Sequence, residues 1–425
     1  MANEIRAATV ADLQAEGVLL VEDGNHGEYR PRPSEFVSSG CAFIRAADMD
    51  DGVVRFDSAS KITERARARI TKGIGAPGDV LLSHKGTVGK VAYVPADAPE
   101  FVCSPQTTFW RTLDSGRLDR WYLFAFLRSA SFRAQLLTRS GETDMAPYVS
   151  LTSQRGLTVI LPSIEEQRRI GDIFRSLDEK LALNRNLQRS LLRIVRAIFS
   201  SWFVDFEPVR DNAEGRKTKL DFSIANLFPS GFEQSQRGPV PMGWHWKAVR
   251  EELNLAYGKA LPDSDRRRGS IPVYGSNGQI GWHDSKLADG PGIVIGRKGN
   301  PGIVTYCPTD FFCIDTTFYA QPKRDLGAVT YWWIALDNLN LASFAADSAV
   351  PGLNRDVAYG LDVLVPSNDI VRAFNLIAQP FVARWRHCGE NSAEVDKAIC
   401  LLLARMFSDT SSDEEAVSPS LARGR

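Results

Sequence analysis

One stretch of the chain occurs twice. Residues 78 to 112, GDVLLSHKGTVGKVAYVPADAPEFVCSPQTTFWRT, return as residues 291 to 322, PGIVIGRKGNPGIVTYCPTDFFCIDTTFYAQP. At an offset of 213 they share Lys85/Lys298, Gly86/Gly299, Gly89/Gly302, Val91/Val304, Tyr93/Tyr306 and Pro95/Pro308. After a deletion of three to four residues the match resumes at Cys103/Cys313 and at Thr107-Thr108-Phe109 against Thr316-Thr317-Phe318. Residues 149 to 163, VSLTSQRGLTVILPS, align with 353 to 367, LNRDVAYGLDVLVPS, at an offset of 204, with Gly156/Gly360, Leu157/Leu361, Val159/Val363, Pro162/Pro366 and Ser163/Ser367 identical. Both copies then turn helical, so the chain reads head, helix, head, helix.

The first helix is signalled by Ser163-Ile164-Glu165-Glu166, a capping box with Pro162 just outside it. An apolar stripe follows at three- and four-residue steps through Ile170, Phe174, Leu177, Leu181, Leu187, Leu191, Ile194 and Ile198. With no proline or glycine over 172 to 207, a helix from about 164 to 202 would run for roughly 57 Å at ~1.5 Å per residue. The second helix starts at Ser367 or Asn368 and carries Phe374, Ile377, Phe381, Trp385, Val395, Ile399, Leu402 and Met406. Pro380 predicts a kink, because proline removes a backbone donor and crowds the preceding turn. The LNRN at 183 to 186 and Gly389 weaken the two stripes in mid-rod and predict a polar layer or a short break. Rods of this length need a partner; the duplication predicts that they pair antiparallel about a pseudo-twofold axis, as a coiled coil.

At 425 residues and 44% apolar content there is room for two or more cores. Apolar runs fall short of the ~18 to 20 residues a membrane span needs, and the start lacks a basic end followed by an apolar core, so a cytoplasmic location and no membrane partner are expected. Six cysteines without a CxxC pair and five scattered histidines give neither a zinc spacing nor a disulfide framework and suit buried thiols. The 51 basic residues balance the 51 acidic ones. Basic charge is concentrated only in KITERARARITK (61 to 72) and DSDRRRGS (263 to 270), each either a solvated face or an edge that touches phosphate.

Within the heads, Val80 to Ser83 and Ile293 to Gly296 read as strands, HKGTVGK and RKGNPGI as turns, and Val91 to Val94 and Ile303 to Tyr306 as return strands. The turn is not a phosphate loop, which would need glycine at His84 and a hydroxyl at Val91, with a helix after it. Nor is there a Gly-rich cofactor loop, a complete methylation motif (GNPGI at 299 to 303 is a partial echo), a GxSxG or an HExxH. The acids and lysine of LDEKL near 180 sit on the helical rod, where charged flanking positions are normal. A scaffold or reader fits better than an enzyme.

LPSIEEQRRIGDIFRSLDEKLALNRNLQRSLLRIVRAIFSSWFVDFEPV (161 to 209) resembles the central conserved region of the specificity (S, HsdS) subunits of type I restriction-modification systems. VYGSNGQIGWHDSKLADGPGIVIGRKGNPGIV (273 to 304) and GDVLLSHKGTVGKVAYV (78 to 94) are similar to that family's target recognition domains, and LFPSGFEQSQRGPVPMGWHWKAV (227 to 249) to the approach to the second one. The resemblance covers nearly the whole chain. It implies an α+β fold: two α/β target recognition domains separated by two long antiparallel helices. The corresponding segments are recognition domain 1 (1–162), a central helical region (163–207), a linker (208–240), recognition domain 2 (241–366), a C-terminal helical region (367–408) and a disordered tail (409–425).

The resemblance further implies a non-catalytic subunit whose two heads read the halves of a bipartite, asymmetric double-stranded DNA target, while the helices recruit two modification subunits. S-adenosylmethionine would belong to those subunits, and ATP and Mg to restriction subunits joined through the modification–specificity complex; this chain would carry no cofactor. The neutral charge leaves much of the phosphate contact to the partners. Two other readings stay open, a solitary methyltransferase or nuclease and a coiled-coil adaptor that binds only protein.

The candidate DNA contacts are polar residues on repeated loops beside strand ends. They are Arg45, Lys85, Thr87, Gln106, Thr107, Thr108 and Tyr148 in the first head, and Tyr274, Ser276, Asn277, Arg297, Lys298, Asn300, Asp315, Thr316, Thr317 and Asn354 in the second. Lysine and arginine suit guanine edges or phosphates, and asparagine and glutamine suit adenine. Identical pairs such as Lys85/Lys298 suit positioning, and the paired threonines suit hydroxyls satisfied within a sheet. Pairs that differ, Thr87/Asn300 and Gln106/Asp315, suit reading.

Overall fold

The computed structural model describes residues 5–25, 27–50, 52–140, 147–345 and 352–407; the tail expected over 409–425 lies outside them. The chain divides into two compact units, Met1–Leu183 with Ser392–Arg425, and Asn184–Asn391.

In the first unit, strand Arg6–Thr9 pairs antiparallel with Thr158–Leu161, the strand that leads into the first long helix. The main sheet places Leu19–Asp23, Thr107–Thr112, Val80–Ser83 and Val91–Tyr93 side by side, with Gly52–Val54 and Met49–Asp50 beyond. Val80, Leu82 and Trp110 face Tyr122, Phe124 and Phe132, whereas Leu81 and Phe109 face Ala42, Ile44 and Phe101 on the other side. Val80–Ser83 is therefore covered on both faces, which is why it reads as an unbroken apolar run instead of an alternating one.

The second unit repeats this plan. His245–Ala248 pairs antiparallel with Asp362–Val365, the strand before the second long helix. The main sheet runs Leu253–Tyr257, Thr317–Pro322, Gly292–Gly296, Val304–Cys307, and a smaller sheet holds Gly278–His283, Ile271–Gly275 and Phe312–Cys313. Equivalent tyrosines tie each head together. Tyr122 Oη donates to Ile160 O at 2.5 Å and Tyr331 Oη to Leu364 O at 2.8 Å. Burial pushes both phenols above their ordinary range. The helices that carry them are capped differently. Asp119 caps Arg120–Leu127 through Trp121 N and Tyr122 N; in Thr330–Asn338, where Val329 has no capping side chain, Asn375 of the second long helix accepts from Tyr331 N at 3.0 Å.

The long helices are Ile164–Phe203 and Asn368–Met406. At the first start, Ser163 Oγ accepts from Glu166 N at 3.3 Å, but the Glu166 carboxylate turns to Arg169 instead of back to the cap, so half of the expected box forms. In the first unit Ile170, Phe174 and Leu181 pack with Ile399 and Leu403; in the second, Val195, Phe199 and Trp202 pack with Phe374, Ala378 and Val382. The early part of one helix meets the late part of the other, so they run antiparallel. Pro380 lies inside a single continuous helix. The expected weak point is a polar layer without a break: Asn184 Nδ2 donates to Asn391 Oδ1 at 3.0 Å and Gln188 Nε2 to Trp385 O at 3.1 Å. The stretch 208–240, read from sequence as a linker, is itself folded, with helices Glu207–Glu214 and Phe222–Ala225 and the hairpin Phe232–Ser235/Gly238–Pro241, and it buries Val209 and Phe228 in the core.

Candidate nucleic-acid interface

Both heads build one loop cluster on the same backbone frame. The hairpin tip is closed by Gly89 N to Ser83 O at 2.9 Å in the first head and by Gly302 N to Gly296 O at 2.8 Å in the second. Gly86, Gly89, Gly299 and Gly302 all have φ between +78° and +93°, which accounts for their repetition without any ligand. The next strand's approach loop is held by His84 N to Gln106 O (2.9 Å) and by Arg297 N to Thr316 O (2.8 Å). The segment before the last strand joins through Val149 N to His84 O and Leu353 N to Arg297 O, both 2.9 Å, with bridges Lys85–Tyr148 and Lys298–Gly352. Gly24 and Gly258 complete the frame, since a Cβ on either would lie 1.9 Å from Ser104 O or 2.0 Å from Ile314 O.

These bonds correct the sequence alignment. Thr107 N and Oγ1 both donate to Ser104 O, and Thr317 N and Oγ1 both donate to Ile314 O. Thr107 is thus equivalent to Thr317, Gln106 to Thr316 and Pro105 to Asp315, one residue away from the register that the repeated TTF suggests. The pair Gln106/Asp315 is therefore not an equivalent pair.

In the first head Arg45, Lys85 and Gln106 come together around a cleft of about 360 Å³, with Arg30, Phe36 and Phe43 completing its walls. Arg45 pairs with Asp48 at 3.3 Å, leaving Lys85 as the more open cation, with its ammonium 5.6 Å from the Tyr148 ring centre. Thr87 is exposed on the hairpin tip. In the basic run 61 to 72, Arg67 pairs with Glu100 and Arg69 with Glu35. Arg65 and Arg69 line a neighbouring cleft together with Arg32 and Glu35. The Arg69 guanidinium holds the Glu35 carboxyl down at about 2.

In the second head Arg297, Lys298, Asn300, Asp315 and Thr316 lie on adjoining loops, with the Arg297 Nη1 donating to Asp315 O at 3.1 Å. Ser276 adjoins the hairpin tip, its Oγ 3.3 Å from where a Gly299 Cβ would lie, and Asn277 is exposed at the next turn. Asn354 is exposed but its side chain accepts from Asp356 N at 2.7 Å, capping the helix Arg355–Gly360. Tyr257 and Arg355, which sequence reasoning passed over, join the cluster. Tyr257 is 45% exposed, with the Arg297 and Arg355 guanidiniums 5.2 and 4.5 Å from its ring centre. Tyr257 precedes the repeated Gly24/Gly258, the one signal that would have marked its strand end.

Four candidates do not reach the surface. Thr107, Thr108 and Thr317 are fully buried. Thr108 Oγ1 donates to Gln154 Oε1 at 3.0 Å, and the other two hydroxyls bond to loop carbonyls as above. Tyr274 is buried against Phe311, and burial raises its phenol. Their polar atoms serve the sheet. Cys103, Cys307, Cys313 and Cys388 are buried free thiols, with Cys313 pushed up to about 11 by burial. Among the described residues no group of three or more His, Cys, Asp or Glu is arranged to hold a metal, and no helix is long and apolar enough to cross a membrane.

Two mixed heads, each leading through a terminal strand into one of two antiparallel long helices, define the class of the chain: a duplicated two-headed scaffold. Residues 27–193 match the family described as type I restriction modification DNA specificity domain. The type I restriction enzyme HindI specificity subunit of Haemophilus influenzae is 26% identical over 151 residues, 35% of this chain and 33% of that one. The MjaIX specificity subunit of Methanocaldococcus jannaschii is 24% identical over 222 residues, 52% of this chain and 44% of that one. The matches thus span less than half the length of these curated relatives. In fold, the S subunit of the type I restriction-modification system from M. genitalium aligns over 96% of this chain and 98% of its own, with a TM-score of 0.56 at 16% identity. Residues 27–193 thus resemble a type I restriction-modification specificity domain, and the fold of the chain is like that of the M. genitalium S subunit.

Proposed function

We propose that this chain is the DNA sequence-specificity subunit of a cytoplasmic type I restriction-modification enzyme. Each head reads one half of a bipartite, asymmetric target, and the long helices recruit two modification subunits. The observation that carries this reading is a common backbone frame presenting different side chains in the two heads: Thr87, Gln106 and Tyr148 in one, Asn300, Thr316 and Gly352 in the other. A shared frame with exchanged side chains is what two related but unequal half-sites require, because base edges are told apart by donor and acceptor pattern.

The chain's part is non-covalent. The modification subunits supply S-adenosylmethionine and adenine methylation, and restriction subunits that join the modification–specificity complex supply ATP- and Mg-dependent work on DNA. With equal numbers of acidic and basic residues, this chain contributes a small share of the phosphate neutralisation that sets non-specific affinity. The test is a footprint of the chain with its modification subunits on DNA carrying the motif whose methylation depends on this gene. Two protected half-sites separated by a spacer are expected. A complex that assembles but leaves that DNA unprotected would favour a protein-only adaptor, and methyl transfer by the isolated chain would make it an enzyme.

A further inference from the structure

The frame lets equivalent positions be compared directly, and at one of them the heads are built in opposite ways. The equivalent residues are Asp23 and Tyr257, His84 and Arg297, and Tyr148 and Gly352. In the first head this position is closed. His84 is 1% exposed, with Nδ1 3.0 Å from Val149 O and Nε2 3.1 Å from Asp23 Oδ1. The Tyr148 ring lies 5.6 Å from the imidazole, and Lys85 approaches its ring.

In the second head the same position is half-buried and cationic. Tyr257 takes the place of the acid, so Arg297 rests on a ring instead of in an ion pair, and among the described residues neither Arg297 nor Arg355 pairs with a carboxylate. The bond from Nη1 to Asp315 O fixes the guanidinium on one side and, among the described residues, leaves its other donors unclaimed. Where Tyr148 covers His84, Gly352 supplies no side chain. Among the described residues glycine is not forced there by crowding, since an added Cβ would meet Arg297 O alone, at 3.5 Å, nor by a left-handed φ. What glycine leaves is access to Arg297.

We propose that Arg297 is a specificity-determining residue of the second head that reads a guanine, with Tyr257 as its positioning residue and Gly352 as the opening through which the base edge reaches it. The proposal rests on the DNA-reading function above. Its chemistry is the paired donation of a guanidinium to guanine O6 and N7. An arginine already seated on an aromatic ring and tied to a carbonyl loses less side-chain freedom when it binds. The first head, with His84 sealed beneath Tyr148, presents no arginine at the equivalent point and must read there with other residues.

The test is single-molecule methylome sequencing of cells carrying the chain with its own modification genes, as wild type, Arg297→Gln, Gly352→Tyr and Lys298→Ala. The half-site belonging to residues 241–366 is assigned by exchanging that segment. It is expected to contain a G·C pair whose discrimination falls roughly tenfold or more in Arg297→Gln and moves toward adenine, the base that a glutamine amide matches. Gly352→Tyr is expected to relax the same single position, and Lys298→Ala none. Because a Cβ at Gly352 meets no closer contact than 3.5 Å among the described residues, this variant decides the matter if Arg297→Gln is inactive. A half-site without a G·C pair, or an unchanged motif in Gly352→Tyr or in an active Arg297→Gln, overturns the proposal while leaving DNA reading in place. The absence of any methylation motif dependent on the wild-type gene overturns DNA reading itself, and this proposal with it.

Discussion

Asn184 donates its side-chain amide to Asn391 Oδ1 at 3.0 Å, in a polar layer midway along the seam between the two long helices. A slip of one helix along the other would bring either amide against hydrocarbon, so the pair fixes the register. Asn184→Leu or Asn391→Leu alone is expected to cost about 1–3 kcal/mol by stranding the partner's polar group. The double replacement should recover part of that, because neither member of the pair is then left facing an apolar partner. A double-mutant cycle by urea unfolding checks it; two additive losses would contradict the pairing.

The equivalent tyrosines give a paired prediction. Tyr122→Phe and Tyr331→Phe each remove a buried bond to the carbonyl of the strand that leads into a long helix. Each should cost about 0.5–1.5 kcal/mol. Hydrogen exchange should show the loss confined to the terminal strand pair of the same head. Protection lost equally in both heads would argue against two independently braced units.

Acid should weaken the second head through Glu252. Burial pushes this carboxyl up, but hydrogen bonds from Arg324 and Lys247 outweigh burial and hold it below its ordinary range. Arg324 also donates to Asn368 Oδ1 at 2.8 Å, linking the head to the start of the second long helix. Because the folded value lies below the unfolded one, the contribution is complete above an unfolded carboxyl value of about 4.3 and is lost as the pH falls below it toward the folded value. Glu252→Gln should therefore lower the melting temperature at pH 7, with the difference from wild type shrinking in acid. A difference independent of pH would show that the charge contributes nothing.

The long helices, their antiparallel pairing and the doubled head were legible because caps and apolar stripes are local signals, and a repeat needs only one chain to be seen. The one-residue error at TTF arose because identical letters outweighed geometry. Thr107 and Thr317 are defined by their bonds to Ser104 O and Ile314 O, which no pairwise alignment contains. The paired threonines already suited hydroxyls satisfied internally, although nothing in the sequence named Gln154 as the partner of Thr108; burial of Tyr274 was hidden, since a hydroxyl near a strand end has the same sequence signature whether it faces DNA or Phe311. Tyr257 was missed for the opposite reason: it lies far along the chain from Arg297, and only the sheet brings the two together.

Lys298 and Asn300 separate positioning from reading on one hairpin. Lys298 is exposed and shares its bridge geometry with Lys85, so a function common to both half-sites, such as a phosphate contact, is expected of it. Lys298→Ala should weaken all targets alike and flatten the log-log salt dependence by about 0.9. Asn300→Ala should relax one position of the second half-site by about 1–3 kcal/mol. Competition binding of the assembled methyltransferase to single-base variants at several salt concentrations compares them. Altered base preference in Lys298→Ala with none in Asn300→Ala would reverse the two roles.

The measurement that bears most directly on one head per half-site is a head exchange. Residues 1–160, which precede the first long helix, are replaced by the equivalent segment of a relative with a different known target, and the methylated motif is read by single-molecule sequencing. One half of the motif should change to the donor's and the other half should stay as it was. A motif altered in both halves, or in neither, would contradict independent reading by the two heads.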